Sequence, residues 1–220
     1  MFLHGWGGSV SAFAACAKEL AGFYTVTLID FYGFGATAHP GYPLTLDDYV
    51  RSVLDIISYY KMQRVILIAH SFGARVALKL AHDFPHLVNK MVIADGAGIK
   101  ARKGIRYYYR FYRHKLLSLL RIPHKSGSKD YRALSPVMKQ TFKNIVNKDL
   151  TPLLNSINTP VLLIWGDRDR QTPLYMARKM SRLLPDNKLI IFKKAGHFCY
   201  LAQHAAFCKA VYYFLLGARL

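Results

Sequence analysis

The stretch Arg64-Val-Ile-Leu-Ile-Ala-His-Ser-Phe-Gly-Ala-Arg75 decides the fold. Val65 to Ala69 is a short, continuous apolar run rich in β-branched residues, which suits a strand buried on both faces, although so short a run also suits a buried helix segment. From Ala74 the apolar residues Val76, Ala77, Leu80 and Ala81 follow a helical period. A strand that turns sharply into a helix with serine at the corner is a nucleophile elbow. The turn lifts the Ser71 hydroxyl beyond the strand end and sets it at a helix N-terminus. Small residues two before and two after the serine let strand and helix approach closely. Gly73 fits the pattern G-x-S-x-G, and Ala69 departs from it by one methyl group.

Upstream, Phe2-Leu3 reads as the tail of a buried strand, and His4-Gly5-Trp6-Gly7-Gly8 as a tight loop. Ser9 or Ser11 can cap a helix with Phe13, Cys16, Ala17 and Leu20 on its apolar side. Tyr24–Asp30 reads as a strand. Thr45-Leu-Asp-Asp48 is a capping box with Asp in place of Glu, opening a helix with Tyr49, Val53, Ile56, Ile57 and Tyr60 inward. Downstream, Val88–Asp95, Val161–Trp165 and Lys188–Phe192 read as strands. Thr172-Pro173 starts a helix by cap and proline, and an apolar helix runs from about Leu201 to Leu215. Alternating strands and helices imply a parallel sheet, whose ligands sit at the carboxyl ends of the strands. His4, Asp30, Ser71, Asp95, Asp167, Asp169 and His197 all fall at such ends.

A serine hydroxyl needs a base, and the base needs a carboxylate to hold its tautomer. His197, on the loop after the last strand, is the candidate base. Gly166-Asp167-Arg168-Asp169 offers two carboxylates just past a strand end. The chain order serine, acid, histidine is the one that accompanies this elbow. An oxyanion hole needs two N–H donors. One is the backbone N–H of Phe72; the other is expected from the His4–Gly7 loop.

With these residues in place, the chain resembles the α/β-hydrolase family along nearly its whole length. His4-Gly5-Trp6-Gly7 looks like the family's oxyanion loop, which puts the Trp6 N–H in the donor position. Asp30-Phe-Tyr-Gly-Phe-Gly35 looks like its D-x-x-G-x-G turn, and Ala69–Gly73 like its elbow. Trp165-Gly-Asp-Arg-Asp169 matches W-G-x-x-D, which assigns the acid to Asp169, with Asp95 as runner-up. Ala195-Gly196-His197 matches the terminal G-H. The resemblance implies a mostly parallel sheet flanked by helices, and a serine hydrolase that cleaves an ester, thioester or related acyl substrate. One rival is carbon–carbon bond hydrolysis by the same triad; another is a hydrolase-like binding module without catalysis. The family usually has two or more strands before the oxyanion loop. Here only Met1 to Leu3 precede it, so the expected sheet is N-terminally shortened, with five full strands plus a stub and an exposed edge.

Composition bounds the rest. The 220 residues suffice for one domain with a sizeable core, and 52% of them are hydrophobic. No apolar run approaches the ~18 residues of a membrane helix, and the start does not read as a signal peptide. Three cysteines (Cys16, Cys199, Cys208) form no disulfide framework, which suggests a reduced cytoplasm. No metal-ligand spacing is evident, and the chemistry calls for neither metal nor organic cofactor. Net charge is +19 and uneven: Lys100 to Lys148 holds fourteen Lys and Arg against the single acid Asp130, a balance of +13. The domain reading is a hydrolase core over 1–99 and 151–220, with a basic helical lid over 100–150 between two core strands. In that lid Arg106, Arg110 and Arg113 share one helix face, and Tyr109, Tyr112, Leu116 and Leu120 another. Such a face suits bulk water, an anionic substrate or an anionic membrane surface; nucleic acid is the weakest of its readings, since no nucleic-acid module is recognised.

Overall fold

A computed structural model of the chain describes residues 1–100 and 129–217. Among the described residues six strands form one sheet: β1 (Phe2–Leu3), β2 (Leu28–Ile29), β3 (Val65–His70), β4 (Val88–Ala94), β5 (Val161–Gly166) and β6 (Asn187–Phe192). They lie in the order β2-β1-β3-β4-β5-β6, and every pairing is parallel. The expected stub is β1, but it is not the edge. The crossover after β1 carries β2 to its outer side, so β1 is paired on both sides and β2 forms the edge. The expected Tyr24–Asp30 strand pairs over Leu28–Ile29 only.

The helices are α1 (Ala14–Leu20), α2 (Leu46–Tyr59), α3 (Phe72–Asp83), α4 (Lys129–Ala133), α5 (Pro136–Val146), α6 (Leu174–Leu183), α7 (Cys199–Ala202) and α8 (His204–Leu216). Strand residues alternate between two cores, as a period of two requires. Leu3, Leu67, Ile93 and Leu163 pack with α2, α3, α5 and α6 on one face. Phe2, Ile68, Val92 and Leu162 pack with α1, α7 and α8 on the other. Burial on both faces is why these strands read as unbroken apolar runs.

Local chemistry fixes the helix ends. The Thr45 hydroxyl accepts from the Asp48 N–H and the Asp48 carboxylate from the Thr45 N–H at 2.7 Å, a reciprocal capping box. Tyr49, Val53 and Ile57 point inward as expected, but Tyr60 is exposed, because α2 has ended before it. Phe13, Cys16, Ala17 and Leu20 are buried as read, yet neither serine caps α1. Ser9 precedes a 3-10 turn without a side-chain cap, and its hydroxyl bonds that of Ser11 at 2.7 Å. The expected apolar helix near Leu201 is two pieces, broken at Gln203.

The lid residues Arg106, Tyr109, Arg110, Tyr112, Arg113, Leu116 and Leu120 lie outside the described residues. The later part of that insertion packs on the core. Met138 and Ile145 of α5 are buried in it. The Leu44 N–H donates to the Thr141 hydroxyl at 2.9 Å, and Arg75 donates to the Lys148 carbonyl at 2.6 Å.

Candidate active site

Sheet register alone brings the candidate residues together. The chain leaves β1 outward to β2 and returns to β3 on the other side, so the winding reverses between β1 and β3, where a crevice opens at the strand ends. Leu3 pairs with Ala69, which sets the His4–Gly7 loop beside His70 and Ser71. The contact is so close that a methyl group on Gly5 would stand 2.6 Å from His70 Nδ1 and 3.3 Å from Ser71 Cβ. His70 pairs with Ala94, Ala94 with Ile164, and Gly166 with Phe192. Those registers align Asp95, the Asp167–Asp169 loop and the Lys193–His197 loop along one rim.

Ser71 has φ 48° and ψ −110°, in a region that non-glycine residues rarely occupy. Its backbone is held there from both sides: its N–H donates to the Ala94 carbonyl at 3.2 Å, and its carbonyl accepts from the Ala97 N–H at 2.9 Å. Gly73 is required two residues on, because a side chain there would collide with the Leu3 carbonyl. With α3 thus pressed against β1, the Ser71 hydroxyl is left partly exposed above the sheet.

From Ser71 an unbroken chain of hydrogen bonds runs inward. Ser71 Oγ lies 3.0 Å from His197 Nε2, and His197 Nδ1 lies 2.9 Å from Asp169 Oδ2. Asp169 is buried and well partnered. Its Oδ1 accepts from the N–H groups of Gln171 at 2.7 Å and Thr172 at 3.1 Å, and its Oδ2 sits 2.6 Å from the Thr172 hydroxyl. Burial pushes this carboxyl up, but the hydrogen bonds from His197 and Thr172 outweigh it and hold the group below the ordinary carboxylate range. An ionised Asp169 selects the His197 tautomer with its proton on Nδ1, leaving Nε2 free to accept from serine. Thr172 does not cap the following helix as the sequence suggests; α6 has no side-chain cap.

Asp95 has a different task. It is fully buried and accepts from the Gly166 N–H at 2.8 Å and the Cys199 N–H at 3.0 Å, tying the end of β4 to β5 and to the histidine loop. Burial raises its pKa despite those bonds. His197 Nδ1 turns to Asp169 instead, which separates the runner-up from the favoured acid. Asp167 is half-buried, and its Oδ1 has no hydrogen-bond partner among the described residues.

The loop with the expected oxyanion donors is rigidly held. His4 Nδ1 lies 2.7 Å from the Gly5 carbonyl, and Nε2 accepts from the Phe31 N–H at 3.1 Å, which fixes the tautomer. Burial lowers the His4 pKa, in keeping with a neutral ring that both donates and accepts. Asp30 spans two loops, accepting from the N–H groups of Val10 at 2.6 Å and Ala36 at 2.9 Å. Trp6 packs edge-on against Phe34, Phe72 and Phe142, with centroids 4.9, 5.6 and 5.1 Å away. Trp6 thus joins an aromatic cluster with the elbow residue Phe72, and α5 supplies part of it through Phe142.

One residue of the site escaped sequence reading. His70 is buried, its Nε2 lies 2.8 Å from the His197 carbonyl, and its ring packs on Phe198 and Tyr200. It thus buttresses the loop that carries His197. Burial, then the neighbouring His197, lower its pKa to about 3. A neutral ring with Nε2–H donating satisfies that geometry. The available signal was a polar residue in a strand otherwise buried on both faces.

A cavity of about 530 Å³ opens at the other ends of the strands, lined by Met1, Tyr24, Met62, Arg64 and Leu215 among others, away from Ser71. Among the described residues no helix is long and apolar enough to cross a membrane.

Comparison with known proteins agrees with this architecture. The model of the alpha/beta hydrolase family matches residues 1–210. The chain belongs to the alpha/beta hydrolase family. It is 24% identical to a 2-hydroxy-6-oxo-2,4-heptadienoate hydrolase of Pseudomonas putida, covering 98% of this chain and 88% of that protein. It is 24% identical to a pimeloyl-[acyl-carrier protein] methyl ester esterase of Salmonella newport, over 96% of this chain and 91% of the relative. Its fold matches a meta-cleavage product hydrolase of Pseudomonas fluorescens with a TM-score of 0.76 at 20% identity, covering 99% and 90% of the two chains.

Proposed function

We propose that this alpha/beta hydrolase cleaves an ester, thioester or related acyl substrate through an acyl-enzyme. The observation that carries this reading is the continuous relay Ser71 Oγ–His197 Nε2 and His197 Nδ1–Asp169 Oδ2, at 3.0 and 2.9 Å. Ser71 Oγ attacks the carbonyl carbon as its proton passes to His197 Nε2. The carbonyl oxygen takes the negative charge and accepts from the Trp6 and Phe72 N–H groups. Collapse expels the alcohol or thiol, which leaves with the proton from Nε2. Water then gives a proton to Nε2 and attacks the acyl carbon; the second collapse breaks the acyl–Oγ bond, releases the acid and returns the Nε2 proton to Ser71 Oγ. Asp169 stabilises each imidazolium. The reaction runs on the protein's own groups. The aromatic cluster of Trp6 and Phe142 supports an apolar acyl group, with 100–150 as a lid over it. The relative named as a methyl ester esterase supports ester chemistry.

A second reading is hydrolysis of a carbon–carbon bond beside a ketone. One relative's named substrate, 2-hydroxy-6-oxo-2,4-heptadienoate, holds a ketone and a carboxylate but no ester. A panel of p-nitrophenyl esters beside a vinylogous β-diketone separates the two. For the first reading, Ser71→Ala should lower ester turnover by about 10⁴–10⁶ while the fold persists. Residual activity above about a tenth of wild type would remove Ser71 from the mechanism. The basic residues Arg106, Arg110 and Arg113 belong to the same proposal, as a face that draws in an anionic substrate or rests on an anionic membrane.

A further inference from the structure

Helices α1 and α8 come from opposite ends of the chain and pack together on one face of the sheet, away from the Ser71 relay. Where they meet, each contributes two ligand-type side chains one turn apart. Cys16 and Glu19 stand at i and i+3 on α1, and His204 and Cys208 at i and i+4 on α8. Residues so spaced share one helix face. The ligand atoms of Glu19, His204 and Cys208 all lie within 4.8 Å of one another. His204 Nε2 is 2.8 Å from Glu19 Oε1 and 3.7 Å from Cys208 Sγ. Cys208 and Cys16 are both buried free thiols. The ion pair is more open: Glu19 is exposed and His204 half-buried, so an ion has a way in from solvent.

The geometry points to a site for a thiophilic divalent cation, zinc above all, formed by Cys208, His204 and Glu19, with the fourth position left to water. A thiolate, an imidazole and a carboxylate are zinc ligands; calcium and magnesium favour all-oxygen cages. Tetrahedral zinc holds sulfur at ~2.3 Å and nitrogen at ~2.0 Å, which separates neighbouring S and N ligands by about 3.5 Å. The His204–Cys208 distance of 3.7 Å already fits. The His204–Glu19 contact must open by roughly half an ångström to the ~3.3 Å expected of N and O ligands, and the Glu19 side chain is exposed. The Cys208 thiol gives its proton to solvent as its sulfur–metal bond forms. The bound ion would tie the helix that follows the His4–Gly7 loop to the C-terminal helix. No sequence spacing announces the site, because its two halves lie 185 residues apart.

The test is a Co²⁺ titration of the reduced, metal-stripped full chain, read by absorption. A near-ultraviolet sulfur-to-cobalt band saturating at one ion per chain is expected, together with visible bands of tetrahedral intensity and loss of both on adding Zn²⁺. Cys208→Ser and His204→Ala should each weaken binding at least as much as losing an outer-shell partner does, about 10–100-fold. If buried Cys208→Ser does not fold, half-buried His204→Ala carries the same reading. A folded wild-type chain with no sulfur band would overturn the site, as would a band that His204→Ala leaves unchanged. A Cys16–Cys208 disulfide in the chain as isolated without added reductant, found by mass, would also replace it.

Discussion

Replacing His70 with glutamine should remove a specific acid sensitivity from the fold. His70 is 2% exposed, and burial, with His197 beside it, lowers its pKa from 6.5 to about 3. Above pH 6.5 the ring is neutral folded and unfolded, so it adds no pH dependence. Below 6.5 the unfolded chain binds a proton that the folded chain refuses until about pH 3. Stability is therefore lost as pH falls through this window, the sign expected of a depressed histidine. At ~1.4 kcal/mol per pH unit the loss is about 2 kcal/mol at pH 5, and it levels off near 5 kcal/mol around pH 3. His4 is also depressed and acts in the same direction, so the slope of the wild type alone is not diagnostic. Asp169, held below 3.8, acts only under that value. The measurement is urea unfolding at pH 7, 6 and 5 for both proteins, followed by tryptophan fluorescence. Glutamine keeps an N–H donor near the His197 carbonyl, so the variants should be close at pH 7, and His70→Gln should gain about 2 kcal/mol over wild type at pH 5. Parallel losses in the two proteins would exclude His70 as the source of this acid sensitivity.

The two buried carboxylates should separate cleanly. Asp169→Asn should cut kcat on the order of 10⁴ by favouring the wrong His197 tautomer, with little change in unfolding midpoint. Asp95→Asn should cost about 1–3 kcal/mol of stability, because an amide nitrogen cannot accept from the Gly166 or Cys199 N–H, while kcat per folded molecule falls far less. The reverse pattern in steady-state kinetics and melting would exchange their roles. Gly73→Ala should cost about 1–3 kcal/mol or more and lower the melting temperature, since its methyl meets the Leu3 carbonyl. Changing Arg106, Arg110 and Arg113 to glutamine should spare a small neutral ester but weaken binding to anionic vesicles or raise KM for an anionic ester. That effect should fade as salt shortens the screening length from about 10 Å at 0.1 M to about 3 Å at 1 M. Loss of neutral-ester turnover at every salt concentration would count against surface steering.

The elbow, the acid loop and the histidine loop were legible because each joins a period change to small residues that only close packing requires. Gly73 and Gly166 are instances: a side chain on either would strike backbone, of Leu3 in one case and of Ala195 and Gly196 in the other. The strand runs were legible because both faces of the sheet are covered. Position within the sheet was not. The place of β1 between β2 and β3 depends on which side of it the first crossover returns, and Met1–Leu3 holds no trace of that. Tertiary partners of polar side chains were equally hidden. Thr172 reads as a helix cap but serves Asp169, and His70, given no role from sequence, bonds the His197 carbonyl. Both depend on loops that the sheet brings together from distant parts of the chain.

The activation of Ser71 proposed above can be tested by reaction with a fluorophosphonate. Peptide mass analysis should find one phosphonyl adduct, on Ser71, formed by the folded wild-type chain at neutral pH. The adduct should be absent from Ser71→Ala and far slower to form in His197→Ala, since the hydroxyl needs the imidazole to take its proton. A folded chain that stays unlabelled, or one labelled equally fast without His197, would rule out a serine activated by this imidazole.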